Sequence, residues 1–179
     1  MADADAPIFL VGFMASGKTT VGSLLAARLG WAFVDLDGLV VEAAGAPVAD
    51  IFAREGETGF RRRESGAVRQ AARMQRTVVA TGGGAACREE NLGVMLGVGR
   101  VVALAVSPEE AIRRAGRSSG RPLLDGAADP VAAARDLLQA RDPFYARAHV
   151  RIDTDGQTPD QIVEAALAAL RLPQPGSPA

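Results

Sequence analysis

The segment GFMASGKTT, residues 12–20, contains Lys18, which is the only lysine of a chain whose other Lys/Arg positions are all arginine. The spacing of Gly12, Gly17, Lys18 and Thr19 fits the pattern of glycine, four residues, Gly-Lys and Ser or Thr that binds phosphate. In such a loop, backbone N–H groups surround the anion, the lysine bridges the outer phosphates and the hydroxyl of Thr19 ligates Mg²⁺. The segment therefore predicts a polyphosphate site; the alternative is an ordinary glycine turn before a helix.

The segments on either side favour the phosphate loop. PIFLV, residues 7–11, is a short apolar run suited to a buried parallel strand. Residues 19–30 have the pattern of a helix that Gly30 ends. The predicted apolar face of this helix consists of Val21, Leu24, Leu25 and Leu29. A strand, a glycine-rich turn and a helix in this order are the context in which phosphate loops occur.

Two carboxylates follow the second predicted strand, in the segment DLDG. Asp35 and Asp37 are two residues apart, so an extended segment would point both side chains to the same side. One could then lie near the magnesium through water while the other reaches the hydroxyl that accepts the phosphoryl group. Alternatively, Asp37 only caps the helix predicted for GLVVEAAG. The residues by themselves leave both interpretations open.

Three consecutive glycines, Gly82, Gly83 and Gly84, follow the third predicted strand. Because glycine costs backbone entropy, such a run indicates close approach of a ligand to the main chain or positive φ angles. A flexible turn is the alternative. Next to a phosphate loop, the exposed N–H groups favour binding of an anion or a hydroxyl.

Arginines are the candidates for binding a substrate carboxylate, because the planar guanidinium pairs with both oxygens. Arg61 lies in GFRRRES, Arg121 in SGRPLL and Arg141 in QARDPFY. A solvated helix face is the alternative for the arginine triplet, and we expect it for some of its members. The cationic segment RRAGRSSGRP, residues 113–122, predicts a mobile lid that closes over phosphates; the alternative is an exposed loop without function.

A parallel sheet is predicted to position these residues. The strand candidates are residues 8–12, 32–36, 77–81, 100–106 and 149–153, with helical patterns between them. This alternation predicts an α/β fold with right-handed crossovers, in which ligands bind beyond the carboxyl ends of the strands. Ser107, Asp129 and Thr158, each followed by proline, predict three helix starts.

Length, charge and composition exclude several classes of protein. A chain of 179 residues with a net charge of −1 predicts one domain that binds neither nucleic acid nor a membrane surface. No apolar stretch approaches the ~20 residues that span a bilayer, and MADADAP is not typical of a signal peptide. The single Cys87 and single His149 exclude an internal disulfide and a His/Cys zinc cluster. We expect a cytoplasmic monomer.

Taken in order, GFMASGKTT, FVDLD, IFAREGETGFRRRE, TGGGAA, GRPLL and RDPFY resemble the shikimate kinase family over residues 7–171. The resemblance implies a single P-loop, nucleoside-monophosphate-kinase-like α/β domain, whose five-stranded parallel sheet has the order 2-3-1-4-5. It further implies substrate-binding helices at residues 37–64 and a mobile lid at 113–124. The implied activity is transfer of the γ-phosphoryl group of ATP to the 3-hydroxyl of shikimate, in chorismate and aromatic amino acid biosynthesis. Residues 1–6 and 172–179 are expected to be disordered.

The same resemblance assigns roles to individual residues. The ATP phosphate loop corresponds to Gly12, Ala15, Ser16, Gly17, Lys18, Thr19 and Thr20, with Thr19 as magnesium ligand and Asp35 as an outer magnesium contact. The shikimate-binding positions correspond to Asp37, Arg61, Gly82, Gly83, Gly84 and Arg141. Arg121 matches a lid arginine that reaches the nucleotide and the acceptor, and Arg114 matches an adenine-stacking arginine. Lys18, Asp37 and Arg121 are the implied catalytic residues.

Two other functions remain open at this point. One is another small-molecule kinase of the same fold, such as a gluconate or nucleoside-monophosphate kinase; the other is a catalytically silent regulatory domain that binds nucleotide. The arginine pair with Asp37 disfavours a nucleotide as acceptor but argues less against another polyhydroxy acid. The presence of Lys18, Asp37 and Arg121 disfavours the silent domain.

Overall fold

The structure, a computed structural model, describes residues 4–116 and 128–172. All strand pairs are parallel and form one sheet in the order β2-β3-β1-β4-β5, as the resemblance implied. Each predicted strand is present, with ends that differ by no more than one residue from those expected. The strands are Ile8–Gly12 (β1), Ala32–Asp35 (β2), Thr77–Ala80 (β3), Arg100–Ala105 (β4) and Val150–Asp153 (β5).

Helices connect successive strands, and two apolar cores cover the two faces of the sheet. Side chains that alternate along a strand reach opposite faces. Phe9 and Val11 accordingly belong to one core, and Ile8 and Leu10 belong to the other. The helices are Lys18–Leu29 (α1), Leu36–Ala44 (α2), Val48–Ala71 (α3), Glu89–Val98 (α4), Pro108–Ala115 (α5), Pro130–Tyr145 (α6) and Pro159–Leu170 (α7).

The predicted start of each of three helices is confirmed. The hydroxyl of Ser107 accepts a hydrogen bond from the N–H of Glu110 at the start of α5, and Asp129 caps α6. At α7, Thr158 and Gln161 form a reciprocal capping box. These caps satisfy N–H groups that have no partner within the helix, which explains why their sequence signatures are reliable.

The buried face of α1 differs from the predicted one. Val21 and Leu25 are buried as expected, but Leu24 remains 38% exposed. Gly22 takes part in the contact instead, because a Cβ at this position would lie 2.7 Å from the ring of Phe33. The packing face of α1 thus includes its smallest residue, which a pattern of large apolar side chains does not predict.

The region predicted as substrate-binding helices, residues 37–64, corresponds to α2 and to most of α3. Gly56 interrupts α3 with φ 66° and ψ −175°, so two helical segments meet there at a kink. Of the predicted lid, residues 113–115 form the end of α5 and Gly116 is its C-cap, whereas residues 117–124, which include Arg121, lie outside the described residues. Within the described ranges, no helix has the length and apolarity needed to cross a membrane.

Candidate active site

Three residues of the loop between β1 and α1 have positive φ angles. Gly12, Ala15 and Gly17 have φ angles of 142°, 56° and 93°, in the region that L side chains rarely adopt. A Cβ at Gly12 would lie 2.4 Å from the carbonyl oxygen of Leu104, so glycine is required there by space as well as by angle. The predicted phosphate loop is therefore present between a strand and a helix, as its motif requires.

The ammonium of Lys18 lies inside this loop and is nearly buried. It donates hydrogen bonds to the carbonyl oxygens of Gly12 (3.0 Å) and Phe13 (2.7 Å) and to the hydroxyl of Ser16 (3.4 Å). These bonds hold the positively charged ammonium group inside the loop, next to the N-terminus of α1. Both features favour an anion at this position.

Thr19 and Asp35 face each other across the loop. The hydroxyl of Thr19 donates to Oδ2 of Asp35 at 3.1 Å, and Oδ1 of Asp35 accepts from the backbone N–H of Asp37 at 3.1 Å. Asp35 is therefore the N-cap of α2, and the alternative in which Asp37 caps this helix is wrong. The assumed extended segment is also wrong, because the helix begins at Leu36 and Asp37 lies in its first turn.

The oxygen atoms of Thr19 and Asp35 fit a site for Mg²⁺. Magnesium prefers oxygen ligands and usually keeps several waters, with one or two protein ligands and the phosphates of a substrate completing its shell. Within residues 4–116 and 128–172, His, Cys, Asp and Glu form no cluster of three or more that could hold a metal by itself. The residues present thus suit a magnesium ion that arrives with a nucleotide.

Asp37, in the first turn of α2, lies next to Gly82, which follows β3. A Cβ at Gly82 would lie 3.3 Å from Oδ1 of Asp37. Burial raises the pKa of Asp37, and the neighbouring Asp35 raises it further, while Lys18 and Arg61 act in the opposite direction. Its carboxyl group is therefore a better proton acceptor than an exposed aspartate when it is ionised.

Glu64, which the sequence did not point to, lies beside Arg61 and Gly82 of the candidate site. It is fully buried, its Oε2 accepts from Nη1 of Arg61 at 2.9 Å, and a Cβ at Gly82 would lie 3.0 Å from its Oε1. Burial raises its pKa against the effect of Arg61, and Asp37 adds to the increase. The available signal was its position three residues after Arg61 on a helix, a spacing at which side chains meet.

Of the arginine triplet on α3, only Arg61 points to the site. It pairs with Glu64 and, at 3.4 Å, with Glu57, and its guanidinium lies 5.5 Å from the ring centroid of Phe60. Arg62 is exposed and Arg63 pairs with Glu55, so the solvated helix face is correct for these two.

Arg141 reaches the glycine turn from α6. Its Nη1 donates to the carbonyl oxygen of Gly83 at 3.3 Å, and its guanidinium lies 6.0 Å from the ring centroid of Phe13. Arg61 lies against the neighbouring Gly84. The two predicted carboxylate-binding arginines therefore meet at one turn, although α3 and α6 are distant in sequence.

None of Gly82, Gly83 and Gly84 has a positive φ angle. A Cβ would instead meet Glu64 and Asp37 at Gly82, Arg141 at 3.4 Å at Gly83, and Arg61 at 3.0 Å at Gly84. The run of glycines is explained by the close approach of charged side chains, and the expectation of positive φ is wrong.

Arg114, in the last turn of α5, reaches the phosphate loop. Its guanidinium donates to the carbonyl oxygen of Ala15 at 3.3 Å, and to Oγ1 and the carbonyl oxygen of Thr154 at 3.1 and 2.8 Å. Its Nε donates to Glu110 at 2.6 Å. Hydrogen bonds from Arg113 and Arg114 lower the pKa of Glu110 to about 2. Thr154, which follows β5, was not predicted as part of the site.

A cleft of about 510 Å³ at the carboxyl ends of the strands is lined both by the phosphate loop and by Asp37, Gly82 and Gly83. Arg61 and Arg141 are not among the residues that line it; they contact Gly84 and Gly83 of the glycine turn. Arg121 lies outside the described part of the chain. The lining residues are Met14, Ala15, Gly17, Lys18, Thr19, Thr20, Asp35, Asp37, Thr81, Gly82, Gly83 and Arg114.

The family model for shikimate kinase matches residues 14–171. The shikimate kinase of Symbiobacterium thermophilum is 51% identical over 168 residues, covering 92% of this chain and 95% of the relative. That of Moorella thermoacetica is 48% identical over 164 residues, covering 92% and 94%.

Solved structures give the same result. Shikimate kinase from Acinetobacter baumannii, in complex with shikimate, superposes with a TM-score of 0.87 at 38% identity, covering 93% of each chain. The enzyme from Aquifex aeolicus gives a TM-score of 0.81 at 33% identity, covering 92% of this chain and 96% of the other. A gluconokinase from Sinorhizobium meliloti, at 22% identity, has a TM-score of 0.62 with 93% and 92% coverage and shares the fold.

Proposed function

The chain belongs to the shikimate kinase family, and we propose that it transfers the γ-phosphoryl group of ATP to the 3-hydroxyl of shikimate, giving shikimate 3-phosphate and ADP. The observation that carries the proposal is a cleft lined by Lys18 and Thr19 of the phosphate loop together with Asp37, Gly82 and Gly83. A donor site and an acceptor site that share one cleft can hold two substrates in line for direct transfer.

The nucleotide side of the cleft is assigned to the phosphate loop. Gly12, Ala15, Ser16, Gly17, Lys18, Thr19 and Thr20 would bind the phosphates of ATP, with Arg114 and Arg121 as further nucleotide contacts. We assign Thr19 as magnesium ligand and Asp35 as an outer contact, an arrangement that their 3.1 Å hydrogen bond supports. Thr19 and Asp35 would hold the ion, which would supply positive charge against the phosphates of ATP.

The acceptor side is assigned to Asp37, Arg61, Gly82, Gly83, Gly84 and Arg141. Arg61 and Arg141 would bind the carboxylate of shikimate, because both lie at the glycine turn and a guanidinium pairs with two oxygens. Glu64 supports this role, since its ion pair holds Arg61 at the turn. The N–H groups of the turn would bind remaining oxygen atoms of the acceptor.

Catalysis in this arrangement depends on position and charge. The transferred group passes through a loose transition state, so Lys18 and Arg121 would contribute by stabilising negative charge on its oxygens. Asp37 would orient the 3-hydroxyl and accept its proton, a role for which its raised pKa is suited. Arg61 and Arg141 would fix the ring of shikimate so that this hydroxyl faces the γ-phosphate.

The test is release of ADP when shikimate, gluconate or AMP is supplied separately as acceptor, in the presence of ATP and Mg²⁺. We expect shikimate to give far more ADP than either competitor, because a pair of arginines and one aspartate match a carboxylate and a hydroxyl. A reaction without added acceptor is the control for simple hydrolysis. Equal turnover with AMP would refute the proposal, and greater turnover with gluconate would reassign the acceptor.

We further propose that residues 7–171 form the whole catalytic domain and that it works as a cytoplasmic monomer on two small molecules. The two cores on either side of one sheet support a single domain. The lone cysteine supports a reducing compartment. Light scattering on the purified chain tests the monomer, and a dimer at micromolar concentration would contradict it.

A further inference from the structure

The carbonyl oxygen of Gly83 accepts hydrogen bonds from side chains of different elements. The hydroxyl of Tyr145 donates to it at 2.6 Å, Nη1 of Arg141 donates at 3.3 Å, and the thiol of Cys87 lies at 3.8 Å. Tyr145 is only 4% exposed and stands one helical turn after Arg141 on α6. A short bond from a buried phenol is the strongest restraint on this peptide group.

The other two carbonyl groups of the turn are also paired within the protein. Gly82 accepts from the N–H of Ala85 at 3.1 Å, and Gly84 accepts from the N–H of Cys87 at 3.0 Å. By contrast, the N–H groups of Gly82, Gly83 and Gly84 donate to no acceptor among residues 4–116 and 128–172. The carbonyl groups of the turn are thus paired within the described protein, and its N–H groups can donate to a ligand.

Peptide geometry connects Tyr145 to one of these donors. The carbonyl group of Gly83 and the N–H group of Gly84 belong to the same planar trans peptide and therefore point in opposite directions. Holding this carbonyl toward α6 directs the N–H of Gly84 away from α6.

We propose that Tyr145 is a positioning residue for the acceptor substrate: it fixes the peptide between Gly83 and Gly84 so that the N–H of Gly84 binds an oxygen of shikimate. Tyr145 itself does not touch the substrate. This inference rests on the proposed function for the identity of the acceptor. It also explains why α6 carries a tyrosine as well as an arginine: both side chains hold the same carbonyl group, and only Arg141 extends to the ligand.

The test is the variant Tyr145→Phe, which keeps the ring and removes the hydroxyl. One lost hydrogen bond predicts a rise of roughly 5-fold to 10-fold in the KM and Kd for shikimate. We expect the KM for ATP to be unchanged and kcat to fall much less than the shikimate affinity, because the phosphate loop makes no bond to Tyr145 within the described structure.

Thr77→Val is the matched control. Thr77 is also buried, its hydroxyl donates to the carbonyl oxygen of Gln75 at 2.8 Å, and it lies at the opposite end of β3 from the glycine turn. This variant should lose a similar amount of thermal stability without any change in the KM for shikimate. A purely structural role of Tyr145 would make the two variants behave alike, and that result would overturn the proposal.

A measurement on the unmodified protein covers the case in which Tyr145→Phe does not fold. In a ¹H–¹⁵N spectrum, shikimate should shift the amide resonance of Gly84, and an unmoved resonance at saturation would also overturn the proposal. The ADP assay on the wild type separates a failure of the proposed function from a failure of the role proposed for Tyr145. Without turnover of shikimate the proposed function fails, and the same titration with the acceptor that is turned over then tests Tyr145.

Discussion

The pKa of Asp37 is raised overall, which suits a residue that accepts a proton. Burial and Asp35 raise its pKa, whereas Lys18 and Arg61 lower it. With the N-cap of α2 assigned to Asp35, a capping role no longer explains the carboxylate of Asp37. Asparagine in its place would keep an oxygen that can accept a hydrogen bond while removing charge and basicity.

We therefore expect Asp37→Asn to lower kcat by roughly 10²-fold or more, which is the range for general acid–base groups. Binding of ATP should remain, because Asp37 makes no bond to the phosphate loop beyond its electrostatic effect. Steady-state kinetics and nucleotide titration measure the two effects. A kcat near that of the wild type would remove Asp37 from the active site.

A thermal melt of the same variant at several pH values provides an independent control. Because the folded pKa of Asp37 is raised above that of the unfolded chain, its charge reduces stability at neutral pH. The cost is complete above the raised folded pKa, decreases as the pH falls below it, and is absent below the pKa of the unfolded chain, where the group is neutral in both states. Asp37→Asn should therefore melt at or above the temperature of the wild type at pH 7, and the difference should shrink on acidification.

At the scale of elements, the turn after β3 depends on contacts that small residues allow. A Cβ at Gly84 would lie 3.0 to 3.2 Å from three atoms of the Arg61 guanidinium. Gly84→Ala should leave the fold intact, since the end of a long side chain can move, but it should displace the guanidinium from the proposed carboxylate site. We expect the KM for shikimate to rise about tenfold, the loss of roughly one charge-assisted hydrogen bond, with an unchanged KM for ATP.

Gly93→Ala on α4 is the control for Gly84→Ala. Gly93 is exposed, and a Cβ there would meet nothing within 4 Å. The control should raise the stability by about 0.5–1 kcal/mol, because alanine is favoured over glycine inside a helix, without any kinetic effect. If Gly84→Ala binds shikimate as well as this control does, Arg61 does not hold the carboxylate.

The features that the sequence predicted are those determined by neighbours in the chain. The phosphate loop, the helix starts at Ser107, Asp129 and Thr158, and the alternation of strands and helices all depend on local spacing and turn chemistry. The interruption of α3 at Gly56 was missed, because a single glycine in a helical pattern does not reveal its φ angle.

The features that were missed depend on contacts between distant segments. Glu64 belongs to the site because α3 brings it to Gly82, Tyr145 because α6 brings it to Gly83, and Thr154 because β5 ends beside Arg114. No local pattern gives these distances. The resemblance to a family supplied Arg61 and Arg141, which spacing alone could not separate from the solvated arginines.

At the scale of the whole molecule, five parallel strands bring residues from separate segments to one edge of the sheet. One of the two cores that flank the sheet includes Leu170 and Leu172, which are partly buried against it. Leu170 also fixes β4, because its carbonyl oxygen accepts from Nη1 of Arg100 at 3.1 Å. Because these contacts include Leu172, we expect the folded domain to extend one residue beyond the proposed range 7–171; residues 173–179 lie outside the described part of the chain.

Two truncations test this boundary. A chain that ends at Leu172 should keep the melting temperature and kcat of the full chain, because both cores remain complete. A chain that ends at Ala169 loses Leu170, Leu172 and the bond to Arg100, and two half-buried leucines contribute about 2 kcal/mol together. Its melting temperature should fall by about 4–8 °C for a domain of this size. Scanning calorimetry measures the melting temperature of each truncated chain, and the ADP assay measures kcat. Equal melting temperatures of the two truncated chains would place the boundary before residue 172.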